Sequence, residues 1–403
     1  MSRVHWLGTG LSSIPGLRKL LKKGYETFVW NRTVEKAQNL LGDLTNNIYK
    51  FDFNELEKQT TSGDVLISML PANYHLDVAN LCLKKNANFV SSSYISEDLK
   101  KLNNTVKGKS LVFLNEVGLD PGIDHLMAHE LVKQYKEFSD YNPNNIVEFL
   151  SFCGGLPKKP NDFCYKFSWS PLGVLKALKS KATAIENFEQ VDTLRPWHNV
   201  KIHEIPSINK ERFEVYPNRD SLPFIDQYEF ENNWRVKRFV RGTLRNLGWK
   251  SAWKEIFEVI EKINIESDQE KLEKLSNMLW EKHSYEENEK DRVVLNVSLK
   301  ASKDNACIFD RSFLMDAWGN ENSTAMARLV SIPVALAVES VLNDKIPYGV
   351  TAAPKSPQLV TSWLDAIKKE AQIFKFIELR RLSKSFINFT KHSLSTWRTS
   401  KSS

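Results

Sequence analysis

The stretch from Phe113 to Leu131, FLNEVGLDPGIDHLMAHEL, begins like a buried strand and ends like a helix. Between them lie Asp120, Pro121, Gly122, Asp124 and His125. Proline and glycine are enough to make a turn. Two carboxylates and an imidazole beside them are chemistry that a turn does not need. The segment is therefore a candidate site, with Asp124 placed to cap the helix that follows. His125 and His129 stand four apart on one helical face, as a metal pair could. There is no H-E-x-x-H glutamate and no third ligand nearby, so capping, packing or hydrogen bonding is the expected use and no metal is predicted.

A second group of residues lies at the start of the chain. Gly8, Gly10 and Ser13 fill the three places of a G-x-G-x-x-G fingerprint directly after the apolar run VHWL. The first two glycines let the backbone approach a pyrophosphate at a helix N-terminus. The third place, ordinarily Gly or Ala for close helix–strand packing, is Ser13. The next apolar run, TFVW, leads into Asn31, Arg32 and Thr33, where an NAD site would put a carboxylate for the ribose 2′-hydroxyl. A cation and hydrogen-bond donors suit a 2′-phosphate instead, so NADP is expected rather than NAD.

These residues need a scaffold, and the hydrophobic pattern supplies one. VHWL, TFVW, DVLISMLP (64–71), ANFVSSSY (87–94) and SLVFLNEV (110–117) read as buried strands separated by helical segments. That alternation predicts an α/β fold, a Rossmann-type doubly wound parallel sheet over residues 1–122. NNIVEFLSFCGGLP, CYKFSWSP, ERFEVYPN, RVKRFVRGTLR and DRVVLNVSLKAS are strand-like without regular helices between them. They predict a mixed or antiparallel sheet in an α+β second domain over 123–322, with a helical insertion near 246–290. The long apolar pattern after Ser323 predicts a segment, 323–370, that returns to complete the first domain.

At 403 residues, 41% hydrophobic and 26% charged, the chain has the composition of a soluble globular protein of two or three domains. The formal charge of +7 is concentrated at the end: residues 374–403 carry seven Lys/Arg and one Glu, leaving about +1 for the rest. The body therefore gives no support for nucleic-acid binding. The basic stretch 371–403 shows no clean apolar face on a helical wheel and is expected to be a loosely docked or disordered extension. Four cysteines without a C-x-x-C pair suit a reduced cytoplasm, and neither a signal-peptide pattern nor a membrane-length apolar run is present.

Six segments, in this order, carry a resemblance: SSSYIS (91–96), NEVGLDPGIDH (115–125), FCGGLP (152–157), YKFSWS (165–170), YPNRDSLP (216–223) and RGTLR (241–245). Together they resemble the saccharopine dehydrogenases of the NADP-dependent, glutamate-forming type, also called saccharopine reductases, over residues 1 to about 357. The resemblance implies an NADP-dependent C–N oxidoreductase of lysine metabolism. Such enzymes condense 2-aminoadipate 6-semialdehyde with glutamate and reduce the imine to saccharopine, or run the reverse, as homodimers. It further implies that Leu11, Ser12, Asp52, Phe53, Met69, Ser92, Ser93, Leu119, Pro121 and Trp169 join the residues above at the cofactor. Ser93, Tyr94, Asp120, Arg219, Thr243, Leu244 and Arg245 would meet the substrate.

The chemistry asks for such residues as well. Saccharopine carries three carboxylates, which arginine forks match bidentately, so Arg219 and Arg245 are natural clamps. Asp120 can orient or accept from the amine and favours a developing iminium charge, Tyr94 offers a hydroxyl relay, and Cys153 is a third proton-relay candidate. The sequence departs from the family pattern at Asn161–Cys164 and at Asn320, Glu321 and Asn322, which bears on fine specificity. Two alternatives stay open: a carboxynorspermidine-type synthase, needing fewer carboxylate clamps, and a catalytically silent NADP-binding regulator of the same fold.

Overall fold

The computed structural model describes residues 2–379 apart from 206, 207 and 266. Six short apolar runs become the strands β1 (Val4–Leu7), β2 (Thr27–Asn31), β3 (Ile48–Lys50), β4 (Val65–Ser68), β5 (Asn88–Ser91) and β6 (Val112–Leu114). All four residues of β1 and of β4 are buried, the continuous pattern of parallel strands covered by helices on both faces. Their order in the sheet is β3-β2-β1-β4-β5-β6, every pairing parallel. The direction of winding reverses between β1 and β4. At such a reversal the connecting loops diverge, and a crevice opens beyond the carboxyl ends of the strands.

The rest of the chain supplies β7 (Ile146–Pro157), β8 (Ala182–Glu186), β9 (Glu189–Thr193), β10 (Lys201–Ile205), β11 (Glu211–Pro217), β12 (Arg235–Arg245), β13 (Asp291–Lys303), β14 (Ala306–Trp318), β15 (Gly349–Thr351) and β16 (Ile373–Glu378). β15 returns to extend the first sheet, parallel to β6. The others form a mixed sheet in the order β10-β11-β12-β7-β13-β14-β16, with the β8–β9 hairpin leaning on β12. β7 and β12 run parallel side by side in its centre. The helix Ala325–Leu342 crosses back to the first sheet and packs along the helix Ile14–Lys22. It is long and apolar enough to span a membrane, but 78% of its most apolar window is buried in the protein, as befits a core helix.

Three expectations need correction. CYKFSWSP is an irregular loop and not a strand: Tyr165 and Phe167 alternate as in a strand but bury themselves against Trp253 and Phe257 of the helical segment. The helix Pro171–Lys179, started by Ser170 accepting from Gly173 N, lies where no regular helix was expected. Residues 373–378 of the expected extension form an edge strand, β16, hydrogen-bonded to β14. The basic residues from 380 onward lie outside the described residues.

Candidate active site at the junction of the two sheets

The crevice beyond β1 and β4 opens into a cleft of about 950 Å³ that reaches across to the second sheet. Its first wall is the fingerprint loop. Gly8 has φ +97, and a Cβ there would lie 2.9 Å from the carbonyl oxygen of Met69, so only glycine fits this turn. A Cβ on Gly10 would meet nothing within 4 Å, which leaves the space above the loop open for a diphosphate. Ser13 takes the third place by donating its hydroxyl to the Gly8 carbonyl at 2.9 Å, tying the helix start to the loop. The buried Thr9 hydroxyl has no partner among the described residues, an acceptor-seeking donor beside that open space. Ser12 and Met69 line the cleft, while Leu11 stands 48% exposed on the loop outside it.

The ends of β2 and β3 carry the residues expected at the ribose. Asn31 is committed to the scaffold, accepting from Thr9 N at 3.1 Å and donating to the Thr33 carbonyl at 2.7 Å. Arg32 is exposed and has no carboxylate partner among the described residues. No acid on this strand end competes for the phosphate or for a ribose hydroxyl. These features fit a 2′-phosphorylated dinucleotide. Asp52 is spent elsewhere: its carboxylate accepts from Asn54 N and Glu55 N and caps the helix Phe53–Gln59. Phe53 packs edge-on against Phe51 and stacks with Tyr74, away from the main cleft.

Opposite the loop, the turn that opened the sequence reading forms the cleft floor. Gly118 N donates to the Pro121 carbonyl, closing the turn, and Leu119, Asp120 and Pro121 face the cavity. Asp120 Oδ1 accepts from Tyr94 Oη at 3.1 Å and from Arg241 Nη2 at 2.6 Å. Burial lifts the Asp120 carboxyl above its usual range, with Arg241 pulling against that rise. Burial also pushes up the Tyr94 phenol and the Cys153 thiol, so both remain protonated donors. The helix Ile123–Lys136 begins at Gly122, and Asp124 does not cap it in the expected way. As the second helical residue it reaches back to accept from Gly122 N at 2.7 Å, while its other oxygen takes Arg241. Although burial opposes it, His125 and Arg241 hold the Asp124 carboxyl below its usual range. His125 lies behind this group, between Tyr228 Oη (2.8 Å) and Glu116 (3.0 Å), and His129 packs edge-on against Tyr228.

The far wall comes from the second sheet. Alternation along β12 points Arg241, Thr243 and Arg245 toward the cleft, and Thr243 and Arg245 line it. The same alternation corrects one expectation: the Leu244 side chain faces the opposite side and packs with Phe152, Val294 and Leu314. Arg245, 5% exposed, lies over the rings of Tyr165 and Tyr216 and has no carboxylate partner among the described residues; its Nε is unpartnered. Arg219 stands in the turn after β11 with its guanidinium 5.2 Å from the Tyr94 ring centroid, also without a carboxylate partner there. Cys153 on β7 and Trp169 complete the wall.

Two features escaped the sequence reading. Arg241, 2% exposed, ties Asp120 to Asp124. It shares the face of Thr243 and Arg245, so period-two alternation through RGTLR was the available signal. His75 joins Ser68 Oγ (2.7 Å) to Ser93 Oγ (2.8 Å) inside the cleft, and Ser92 lines it beside Met69. Desolvation lowers the His75 imidazole to about 4, so it is a neutral link. Nothing in its local sequence, PANYHLDV, announced that position.

Comparison with known proteins agrees with this arrangement. The family model for the saccharopine dehydrogenase NADP binding domain matches residues 4–114, and the one for the saccharopine dehydrogenase C-terminal domain matches 118–373. The chain is 26% identical to saccharopine dehydrogenase [NADP(+), L-glutamate-forming] of Pyricularia oryzae, with 91% of this chain and 96% of that protein covered. It is 27% identical to the Saccharomyces cerevisiae enzyme of the same name, covering 85% and 91%. The solved apo structure of that yeast enzyme superposes with a TM-score of 0.77 at 26% identity, covering 94% of this chain and all of that one. A homospermidine synthase from Legionella pneumophila, with a TM-score of 0.62 at 10% identity, shares the fold. An NADP-binding Rossmann sheet carrying the open fingerprint loop, joined through one cleft to a mixed sheet of carboxylate-seeking arginines, places this chain in the saccharopine dehydrogenase family.

Proposed function

We propose that the protein is an NADP-dependent saccharopine reductase, joining 2-aminoadipate 6-semialdehyde to glutamate and reducing the imine to saccharopine, or running the reverse. The observation that supports this reading is a single cleft lined by Asp120, the buried Arg245 and the exposed Arg219, the two arginines lacking carboxylate partners among the described residues. A guanidinium buried without an anion is costly, and a ligand carboxylate is the group that relieves it. A substrate with several carboxylates spaced along a secondary amine matches that layout.

The residues divide the work. Arg245, and Arg219 at the rim, fix substrate carboxylates, which sets the reacting carbon and nitrogen over the cleft floor. Bound NADPH supplies the hydride. Asp120 holds a negative charge beside the imine nitrogen, favouring its protonated, electrophilic form. Tyr94, kept as a neutral phenol, donates to Asp120 and can pass a proton as the carbinolamine loses water. Cys153, a protonated thiol on β7, stands in the wall as a second proton donor. Ser93, held by His75, offers a hydroxyl of fixed orientation to cofactor or substrate. Leu119, Pro121, Ser92, Met69 and Trp169 enclose the reacting centre and exclude water.

The test is turnover: loss of NADPH absorbance with glutamate plus the semialdehyde, and its gain with saccharopine plus NADP. Cofactor binding without turnover on either pair would sink the reading. The family likeness supports a homodimer, which light scattering at micromolar concentration would establish. Cys82, Cys153 and Cys164, unbridged among the described residues, support a cytoplasmic setting that cell fractionation would check.

A further inference from the structure

Arg241 does not belong with the substrate arginines. It is one step deeper along β12 than Thr243, and one of its nitrogens, Nη2, donates to Asp120 Oδ1 at 2.6 Å and to Asp124 Oδ2 at 2.7 Å. Tyr94 Oη lies 3.3 Å from the same nitrogen, and the guanidinium carbon is 3.9 Å above the Phe224 ring. Asp124 is otherwise held by Gly122 N and Tyr228 Oη, with His125 Nδ1 3.5 Å from its Oδ2. Two carboxylates are thus brought into one buried site around one guanidinium.

We propose that Arg241 is a positioning residue that sets the charge state of Asp120, bridging it to Asp124 so that both carboxylates ionise together. Without a cation between them, two buried carboxylates so close together share one proton; Asp124, held by Gly122 N, Tyr228 Oη and His125, keeps the charge, and Asp120 takes the proton. Arginine cannot lose its proton, so the bridge is permanent across the working pH range. The trio carries one net negative charge, and Asp120 presents it to the cleft. The other groups around Asp120 are Tyr94 after β5, His125 and Tyr228 behind Asp124, Cys153 on β7, Arg219 after β11 and Arg245 on β12. Tyr94, Tyr228 and Cys153 are uncharged donors, and His125, paired with Glu116 and 3.5 Å from Asp124, makes no bond to Asp120 among the described residues. None of these can replace the Arg241 bridge.

The proposal rests on the reductase reading only for its kinetic readout. In saccharopine oxidation the acidic limb of kcat/KM follows protonation of Asp120. Arg241→Gln is expected to move that limb up by at least one pH unit, with activity recovering at high pH and NADPH affinity unchanged. Asp124→Asn, which leaves Arg241 to Asp120 alone, is expected to move the limb down. The double variant is expected to return toward the unsubstituted protein. If Arg241→Gln does not fold, Asp124→Asn carries the test with the opposite sign. Rates that fall equally at all pH, with the limb fixed in both variants, would overturn the proposal, because a merely structural bridge behaves that way. The charge is also read without turnover, by ¹³C NMR of aspartate carboxyl carbons, with the Asp120 signal assigned from its loss in Asp120→Asn. An inactive protein would then count against the reductase reading, while the Asp120 titration in Arg241→Gln still decides this one.

Discussion

Replacing Arg32 by alanine separates a phosphate-selecting residue from an ordinary surface cation. The guanidinium sits at the carboxyl end of β2, exposed and without a carboxylate partner among the described residues. Its neighbour Asn31 is locked between Thr9 and Thr33 and cannot substitute for it. A charge-assisted hydrogen bond to a phosphate is worth about 1.5–3 kcal/mol, and exposure to solvent places this one near the lower end. At about 1.4 kcal/mol per decade, NADPH affinity should fall roughly tenfold. NADH, which lacks the 2′-phosphate, should bind as before. Titrating both cofactors by nicotinamide fluorescence gives the two numbers, and raising the salt should shrink the NADPH difference alone. Arg18→Ala is the control: Arg18 is paired with Asp43 at 2.7 Å and should leave both affinities unchanged. Equal losses for NADPH and NADH, or none for either, would refute the assignment of Arg32.

Other substitutions probe the rest of the cleft. Gly16→Ala should destabilise the protein by about 1–3 kcal/mol in urea unfolding, because its Cβ would fall 1.9 Å from the Ser331 carbonyl oxygen, a backbone atom with little room to retreat. Arg245→Met should raise KM for saccharopine by about tenfold to a hundredfold while leaving thermal stability equal or higher, since a buried unpaired charge is exchanged for an apolar side chain of similar size. A fall in melting temperature would mean that Arg245 supports the fold. Stability should also decline on acidification before the carboxylates that the fold holds low begin to titrate. Burial holds the His75 and His129 imidazoles down, at about 4 and about 3, against 6.5 when unfolded. The unfolded chain therefore binds protons first. The stabilisation is whole above pH 6.5 and drains away as pH falls toward 4, by at most about 1.4 kcal/mol per pH unit for each histidine. Asp64 and Glu116, whose carboxyls the fold holds low, begin to contribute only below their unfolded values near 4. His75→Gln should flatten the upper part of the curve, and an unchanged slope would remove His75 from the account.

The first sheet was legible because most of its strands are runs of buried apolar residues with a turn signal after them. Gly8 and Gly10 could be placed to the residue on that basis. β3 was missed: Ile48–Lys50 is two half-buried residues and an exposed lysine at a sheet edge, too short for any period to show. The loop 164–171 misled for the opposite reason, since its aromatic alternation is real but is satisfied by the helices around Trp253 instead of by a neighbouring strand. Within the site, Asp120 could be named from the ionisable residues crowded into its turn, and Arg245 entered with the family resemblance. Leu244 was swept in with them because a five-residue motif carries no mark of which positions face the cleft; pairing between β12 and β11 decides that.

Arg241 shows where such reading stops. In RGTLR the two arginines are chemically identical and lie on one face, yet the fold gives them opposite uses. Arg245 looks across the cleft and meets the rings of Tyr165, Tyr216 and Trp249 and the Leu244 carbonyl, with no carboxylate among the described residues, so its charge waits for a ligand. Arg241 meets the turn carrying Asp120 and Asp124, more than a hundred residues away in the chain, and its charge is spent inside the protein. The difference lies in which carboxylates the second sheet brings to each position as β12 crosses behind the first. A buried arginine with a partner shapes the field of a site, and one without a partner reports what the site binds. In this cleft the two kinds stand four residues apart.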